Sequence, residues 1–135
     1  MTILSKFNSS FAYLLAATLL TPVPVALAGP NQAPTANVLT PANGTKYSAP
    51  ASIGLTASAA DADGSVARVE YYLGRTLLGS ATTPPYLFNW TNVPAGSYVL
   101  NATAIDNQGK AGDSANITIT VAAVTTFITS PLANA

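Results

Sequence analysis

From Thr35 to Val121 apolar and polar residues alternate in brief runs separated by turn residues. Side chains on a strand point to opposite faces with a period of two, so this pattern predicts half-buried strands. No 3.6-residue spacing lasts long enough for a helix. The predicted strands cover Thr35–Leu39, Ala51–Ala60, Val66–Leu73, Thr76–Ala81, a run through Tyr86, Phe88 and Trp90, a run through Tyr98, Leu100, Ala102 and Ala104, and Ile117–Val121. Between them stand turn sequences: Pro41-Ala42-Asn43-Gly44, Asp61-Ala62-Asp63-Gly64, Gly74-Arg75, Asn92 to Gly96 and Asp106-Asn107-Gln108-Gly109. Pro84 and Pro85 stop the fourth run, because proline cannot donate to a ladder.

About seven short strands in about 100 residues predict an all-β antiparallel sandwich of the immunoglobulin-like, fibronectin III-like class. The faces expected to meet between its sheets carry Val38, Ile53, Leu55, Val69, Tyr71, Leu78, Phe88, Trp90, Tyr98, Leu100, Ile117 and Ile119. Tyr98, following Gly96-Ser97 at a strand start, has the placement of a tyrosine corner.

The flanks read differently. Residues 1–28 have the parts of a secretory signal peptide: Lys6, an apolar run from Phe11 to Leu20, helix-breaking Pro22 and Pro24, and Ala26-Leu27-Ala28 before the cut. The apolar run is about half the ~20 residues a membrane-spanning helix needs. Residues 29–34 form a polar, Pro-rich linker, and 35–121 the domain. Residues 122–135 read as a second linker and the start of a truncated second repeat. There Ile128-Thr129-Ser130-Pro131 echoes Val38-Leu39-Thr40-Pro41, with the prolines 90 positions apart.

Composition narrows the function. Only 7% of the residues are charged, and the formal net charge is +0. Lys46, Arg68, Arg75 and Lys110 are scattered and make no basic stripe, which argues against nucleic acid and anionic membranes. The chain has no Cys and no His. That removes disulfides, thiolate metal sites and imidazole-based catalysis. The domain is expected to be non-catalytic and monomeric.

The segments Leu39-Thr40-Pro41-Ala42-Asn43-Gly44, Ala60-Asp61-Ala62-Asp63-Gly64 and Val66 to Tyr72 occur in an order and spacing already familiar. So do Thr83 to Trp90, Val93 to Tyr98, and Ala102 to Gly109. With these motifs the chain resembles the bacterial Ig-like domain of secreted polysaccharide-degrading enzymes and cell-surface proteins. The resemblance implies an accessory or spacer module, secreted or at the cell surface, whose partners are neighbouring domains of a longer chain. The alternative is a module that binds polysaccharide or another surface.

Two sets of residues are candidates for binding. Asp61, Asp63 and Asp106, with Asn107 beside them, sit in loops that an Ig-type sandwich brings to one end. Hard oxygen donors of this kind suit Ca²⁺. The other reading is that these residues bond their own turn backbone. Tyr72, on a strand face with Arg68 and Glu70, is the candidate for stacking on a sugar; the other reading is an ordinary strand tyrosine covering its sheet.

Overall fold

The computed structural model describes residues 22, 24 and 26–126. Most of the leader reading and all of the second-repeat reading beyond Thr126 lie outside the described residues. The described residues up to Pro30 form no regular structure, and every strand among the described residues lies in the unit that begins at Asn31.

Among the described residues nine strands follow one another: β1 (Thr35–Thr40), β2 (Lys46–Ser48), β3 (Ala51–Ala60), β4 (Val66–Leu73), β5 (Thr76–Ala81), β6 (Phe88–Val93), β7 (Gly96–Asp106), β8 (Ala111–Asp113) and β9 (Ile117–Ala122). They form two sheets, ordered β1-β3-β6 and β2-β9-β7-β4-β5, with β8 beside β7. This is the expected immunoglobulin-like sandwich.

Period-two burial builds the core as the pattern requires. Ile53, Leu55 and Ala57 are buried on β3, while the alternate Ser52, Gly54 and Ser58 are exposed and Thr56 is half-buried. On β7 Leu100, Ala102, Ala104 and Asp106 are buried, with Thr103 buried between Ala102 and Ala104; on β9 Ile119 and Val121 are buried. Val69 and Tyr71 supply β4. Burying each large apolar side chain contributes roughly 1.5–3 kcal/mol. Val38, Leu78, Phe88, Trp90, Tyr98 and Ile117 are half-buried and close the core at its margins.

Three features depart from the expected pattern. First, β2 and β8 are additional strands of three residues each. The polar turn around Asn43 switches the chain from one sheet to the other. Gly44 takes a φ of 84° there, Gly44 N–H donates to Thr118 O, and Asn43 Oδ1 accepts from Thr118 N–H. Second, β2 then runs parallel to β9, so the sandwich holds one parallel pair among its antiparallel ones. Third, Tyr86 lies outside β6. It occupies the turn after Pro84-Pro85 with a φ of 54°, a backbone region costly for a bulky residue. Its ring is buried, and its carbonyl accepts the Tyr71 hydroxyl at 2.6 Å. Burial of both groups holds the strained turn.

β8 and β9 divide the place beside β7. Leu100 pairs with Ile117 on β9, and Thr103 pairs with Asp113 on β8. Ser114 spans the break: its hydroxyl accepts from Ala102 N–H at 2.9 Å, and its own N–H donates to Ala102 O at 2.8 Å. Gly112 is needed in β8, because a Cβ there would collide with the backbone carbonyl of Pro34.

Register fixes where the chain enters and leaves the sandwich. Asn31 and Gln32 lie at the end of the sheets where β7 finishes, bonded to Asp106 and Asp63. β9 finishes at the other end, with Val121 opposite Gly96, the first residue of β7. The two points are therefore separated by the length of β7. At about 3.3 Å per residue its 11 residues span roughly 33 Å.

Candidate functional site

The loops after β3 and after β7 meet at the incoming end, as their positions in the sequence predict. Asp61 and Asp63 come from the β3–β4 turn; Asp106 and Asn107 come from the end of β7 and the turn after it. Asn107 Oδ1 accepts from Ser65 N–H at 3.2 Å, and Asn107 N–H donates to Ser65 O at 2.9 Å, so the two loops are laced together. The incoming segment joins them: Asn31 Nδ2 donates to Asp106 Oδ2 at 2.7 Å, and Gln32 N–H donates to Asp63 Oδ2 at 2.9 Å.

The three carboxylates differ sharply in how they are served. Asp106 is 2% exposed, yet both of its oxygens are satisfied. Oδ1 accepts from the N–H groups of Gln108 and Lys110, each at 2.8 Å, and Oδ2 accepts from Asn31. Burial by itself would push its carboxyl up, but the Asn31 and backbone donors outweigh that and hold it below the usual carboxylate value. Asp106 is an organiser of its own turn.

Asp61 is the opposite case. Both of its carboxylate oxygens are out of contact with solvent, and neither has a hydrogen-bond partner. Burial pushes its carboxyl up. The Asp63 backbone amide pulls the other way, and the Asp63 and Asp106 carboxyls push it up further. Asn31 Oδ1, on the same side chain that donates to Asp106, is also buried without a partner.

Among the described residues no three His, Cys, Asp or Glu side chains are grouped so as to hold a metal ion. Of Asp61, Asp63 and Asp106, the last gives Oδ1 to the N–H groups of its own turn and Oδ2 to Asn31. Asn31 was missed from the sequence because it stands 75 positions from Asp106 in a linker. The one signal it offered was an amide side chain in an otherwise Pro-rich stretch.

Tyr72 lies on the outward face of β4, as alternation requires. It is half-buried, and its hydroxyl donates to Glu70 Oε2 at 2.6 Å. Glu70 Oε1 accepts from Arg68 Nε at 2.7 Å. The Tyr72 hydrogen bond first, and Arg68 second, hold the Glu70 carboxyl below its ordinary value. The same bond pushes the Tyr72 phenol up. Tyr72 is thus anchored in a three-residue strip. Tyr98 meets its structural expectation: its hydroxyl donates to Pro94 O at 2.7 Å, its ring covers Gly96, and it meets Trp90 edge-on at 5.1 Å.

Comparison with known proteins settles the family. The description "Bacterial Ig domain" matches residues 34–102, just over half of the chain. This chain belongs to the bacterial Ig domain family. The match ends within β7, and β8 and β9 complete the sheet of this bacterial Ig domain beyond it. No curated protein matches it. Among solved structures it is similar to the fibronectin(III)-like modules of Clostridium thermocellum CbhA, with 28% identity and a TM-score of 0.63, covering 68% of this chain and 100% of that one. It is also similar to a structure of carbohydrate-binding modules from the β-sandwich superfamily, with 23% identity and a TM-score of 0.54, covering 72% of this chain and 37% of that one. The PKD1 domain of Vibrio anguillarum Epp aligns at 23% identity and a TM-score of 0.50, covering 70% of this chain and 100% of that one. The last two likenesses concern the fold.

Proposed function

We propose that this bacterial Ig domain is a non-catalytic spacer in a secreted or cell-surface protein, one bead in a longer chain. The observation that carries the reading is the opposition of the incoming and outgoing points across the length of β7. A domain threaded in this way adds its full length to the distance between its neighbours. A domain with both points at one end would hang to the side and add little. The secreted or cell-surface setting is supported by the leader-like pattern of residues 1–28 and by the family.

The chemistry of the domain agrees with a passive role. The chain has no His or Cys. Of its carboxylates, Asp106 and Glu70 are committed to internal hydrogen bonds. A glycosidase pair would have to face across a cleft, and these two do not.

The test is retention of the purified chain on insoluble polysaccharides. A spacer passes through unretained. Retention that is lost in Tyr72→Ala, with the fold intact by circular dichroism, would replace the spacer reading with a polysaccharide-binding one centred on the Arg68–Glu70–Tyr72 strip.

A further inference from the structure

We propose that the domain bears tension along the line joining its incoming and outgoing points, with the parallel pair of β2 and β9 as its mechanical clamp. The proposal rests on the spacer reading for the neighbours that would pull, and on the strand topology for the resistance.

The first observation is the direction of the strands. β1 starts at the incoming end, where Thr35 lies opposite Ala60, the last residue of β3. The chain crosses to the other sheet without reversing, and β2 continues the same way beside β9. β9 then runs out of the domain at the other end. A pull on the two points therefore drags β2 toward one end and β9 toward the other, along their shared axis. Hydrogen bonds between strands lie across that axis. Opposed sliding strains all of them together, so they must fail together. Strands peeled apart from one end lose their bonds singly, and each bond alone is weak.

The second is the seam around the pair. Lys46, Tyr47 and Ser48 stand opposite Thr120, Val121 and Ala122. The bonding runs past both ends of that register. Before it, Gly44 N–H donates to Thr118 O at 2.7 Å, Thr118 N–H to Asn43 Oδ1 at 2.8 Å, and Thr120 N–H to Thr45 O at 3.0 Å. After it, Ala49 N–H donates to Ala122 O at 2.8 Å. The seam thus extends from Asn43 to Ala49, more than twice the three residues of β2 itself.

The third is that β9 is held on both sides. It lies between β2 and β7, and it pairs with β7 from Ile117 to Val121. Ile119 and Val121 are buried, and Tyr47 of β2 packs on the same core, so neither strand of the clamp can swing outward without exposing apolar surface. β7 is tied to the incoming segment through Asp106 and Asn31. A pull on that segment therefore drags β7 past β9 in the same sliding sense. Both neighbours of β9 oppose its withdrawal together.

The test is single-molecule stretching of the full chain between handles coupled to introduced thiols, since the chain has no Cys of its own. Ala33→Cys with Ala123→Cys loads the domain from its incoming and outgoing points. Ala95→Cys with Ala123→Cys grips one end only, because Ala95 immediately precedes β7, and it peels β9 from β7 starting at Gly96. All three positions are exposed. At equal loading rate the first pair should need about twice the force of the second or more, because forced unfolding follows the barrier rather than the equilibrium stability. It should yield with a length gain of roughly 280 Å, from the 90 residues between positions 33 and 123 at about 3.5 Å each, less a folded span of roughly 35 Å. Asn43→Ala, shown to be folded by circular dichroism, should lower the force for the first pair and leave that for the second unchanged, because peeling starts at the far end of β9. Equal forces in the two directions overturn the proposal, as does an Asn43→Ala force equal to wild type for the first pair. Polysaccharide retention tests the spacer reading and applies no load, so each can fail alone.

Discussion

The Asn31 side-chain amide donates to Asp106 Oδ2 at 2.7 Å, joining the segment that leads into the domain to the turn between β7 and β8. Lys110 Nζ adds a bond to Asn31 O at 2.7 Å. Position 31 is thereby held at one end of the sandwich before the first strand begins. Removing the acceptor, in Asp106→Ala, would strand the N–H groups of Gln108 and Lys110 and release Asn31. We expect a loss of about 2–4 kcal/mol in urea unfolding, as for other broken buried networks, with faster amide exchange at Gln32.

Two tyrosine hydroxyls bond to backbone carbonyls, and their settings separate their worth. The Tyr71 hydroxyl reaches Tyr86 O in the buried core, and the Tyr98 hydroxyl reaches Pro94 O at an exposed corner. Tyr71→Phe leaves a buried acceptor without water and should cost about 1–3 kcal/mol. Tyr98→Phe leaves an acceptor that water can reach and should cost about 1 kcal/mol or less. Chemical denaturation of both variants checks the order.

Burial pushes the Tyr71 phenol from its ordinary value of 10.0 up to about 12. The unfolded chain therefore loses this proton first as pH rises. Its contribution to stability is fully present below pH 10 and declines from there to about pH 12. The loss amounts to roughly 2–3 kcal/mol at about 1.4 kcal/mol per pH unit. Unfolding curves from pH 9 to 12 should show this decline in wild type and a shallower one in Tyr71→Phe.

Glycine positions give a contrast in strand tolerance. A Cβ at Gly112 would strike the Pro34 backbone carbonyl, which cannot move without displacing the incoming segment. A Cβ at Gly54 meets Asn89 and Leu87 side chains at 3.7 Å, an ordinary contact. Gly112→Ala should destabilise by about 2 kcal/mol or more through overpacking. Gly54→Ala should stay within about 0.5 kcal/mol of wild type. Thermal melting of the two variants distinguishes them.

The long strands were legible because burial has period two over enough residues to count, as in Ile53, Leu55 and Ala57 or Leu100, Ala102 and Ala104. β2 and β8 were not, since Lys46-Tyr47-Ser48 and Ala111-Gly112-Asp113 are too short and too polar to show a period. The parallel pairing of β2 with β9 comes from the chain changing sheets after Pro41, which is a tertiary event. Tyr86 kept the alternation of Phe88 and Trp90 while lying in a turn, because burial of its ring follows spacing and its backbone does not. At the incoming end the sequence brought the right loops together. It could not tell that Asp106 would be served by its own turn and by Asn31, because that depends on where individual N–H groups point.

The chain enters and leaves at opposite ends of the sandwich. The chain contains no Cys, so labels can be placed without background through Ala33→Cys and Ala123→Cys, both at exposed positions. Electron–electron dipolar spectroscopy should return a single distance of roughly 35 Å, the span of β7 with a residue or two at each end. A distance below about 20 Å would place both points at one end of the domain and contradict the account.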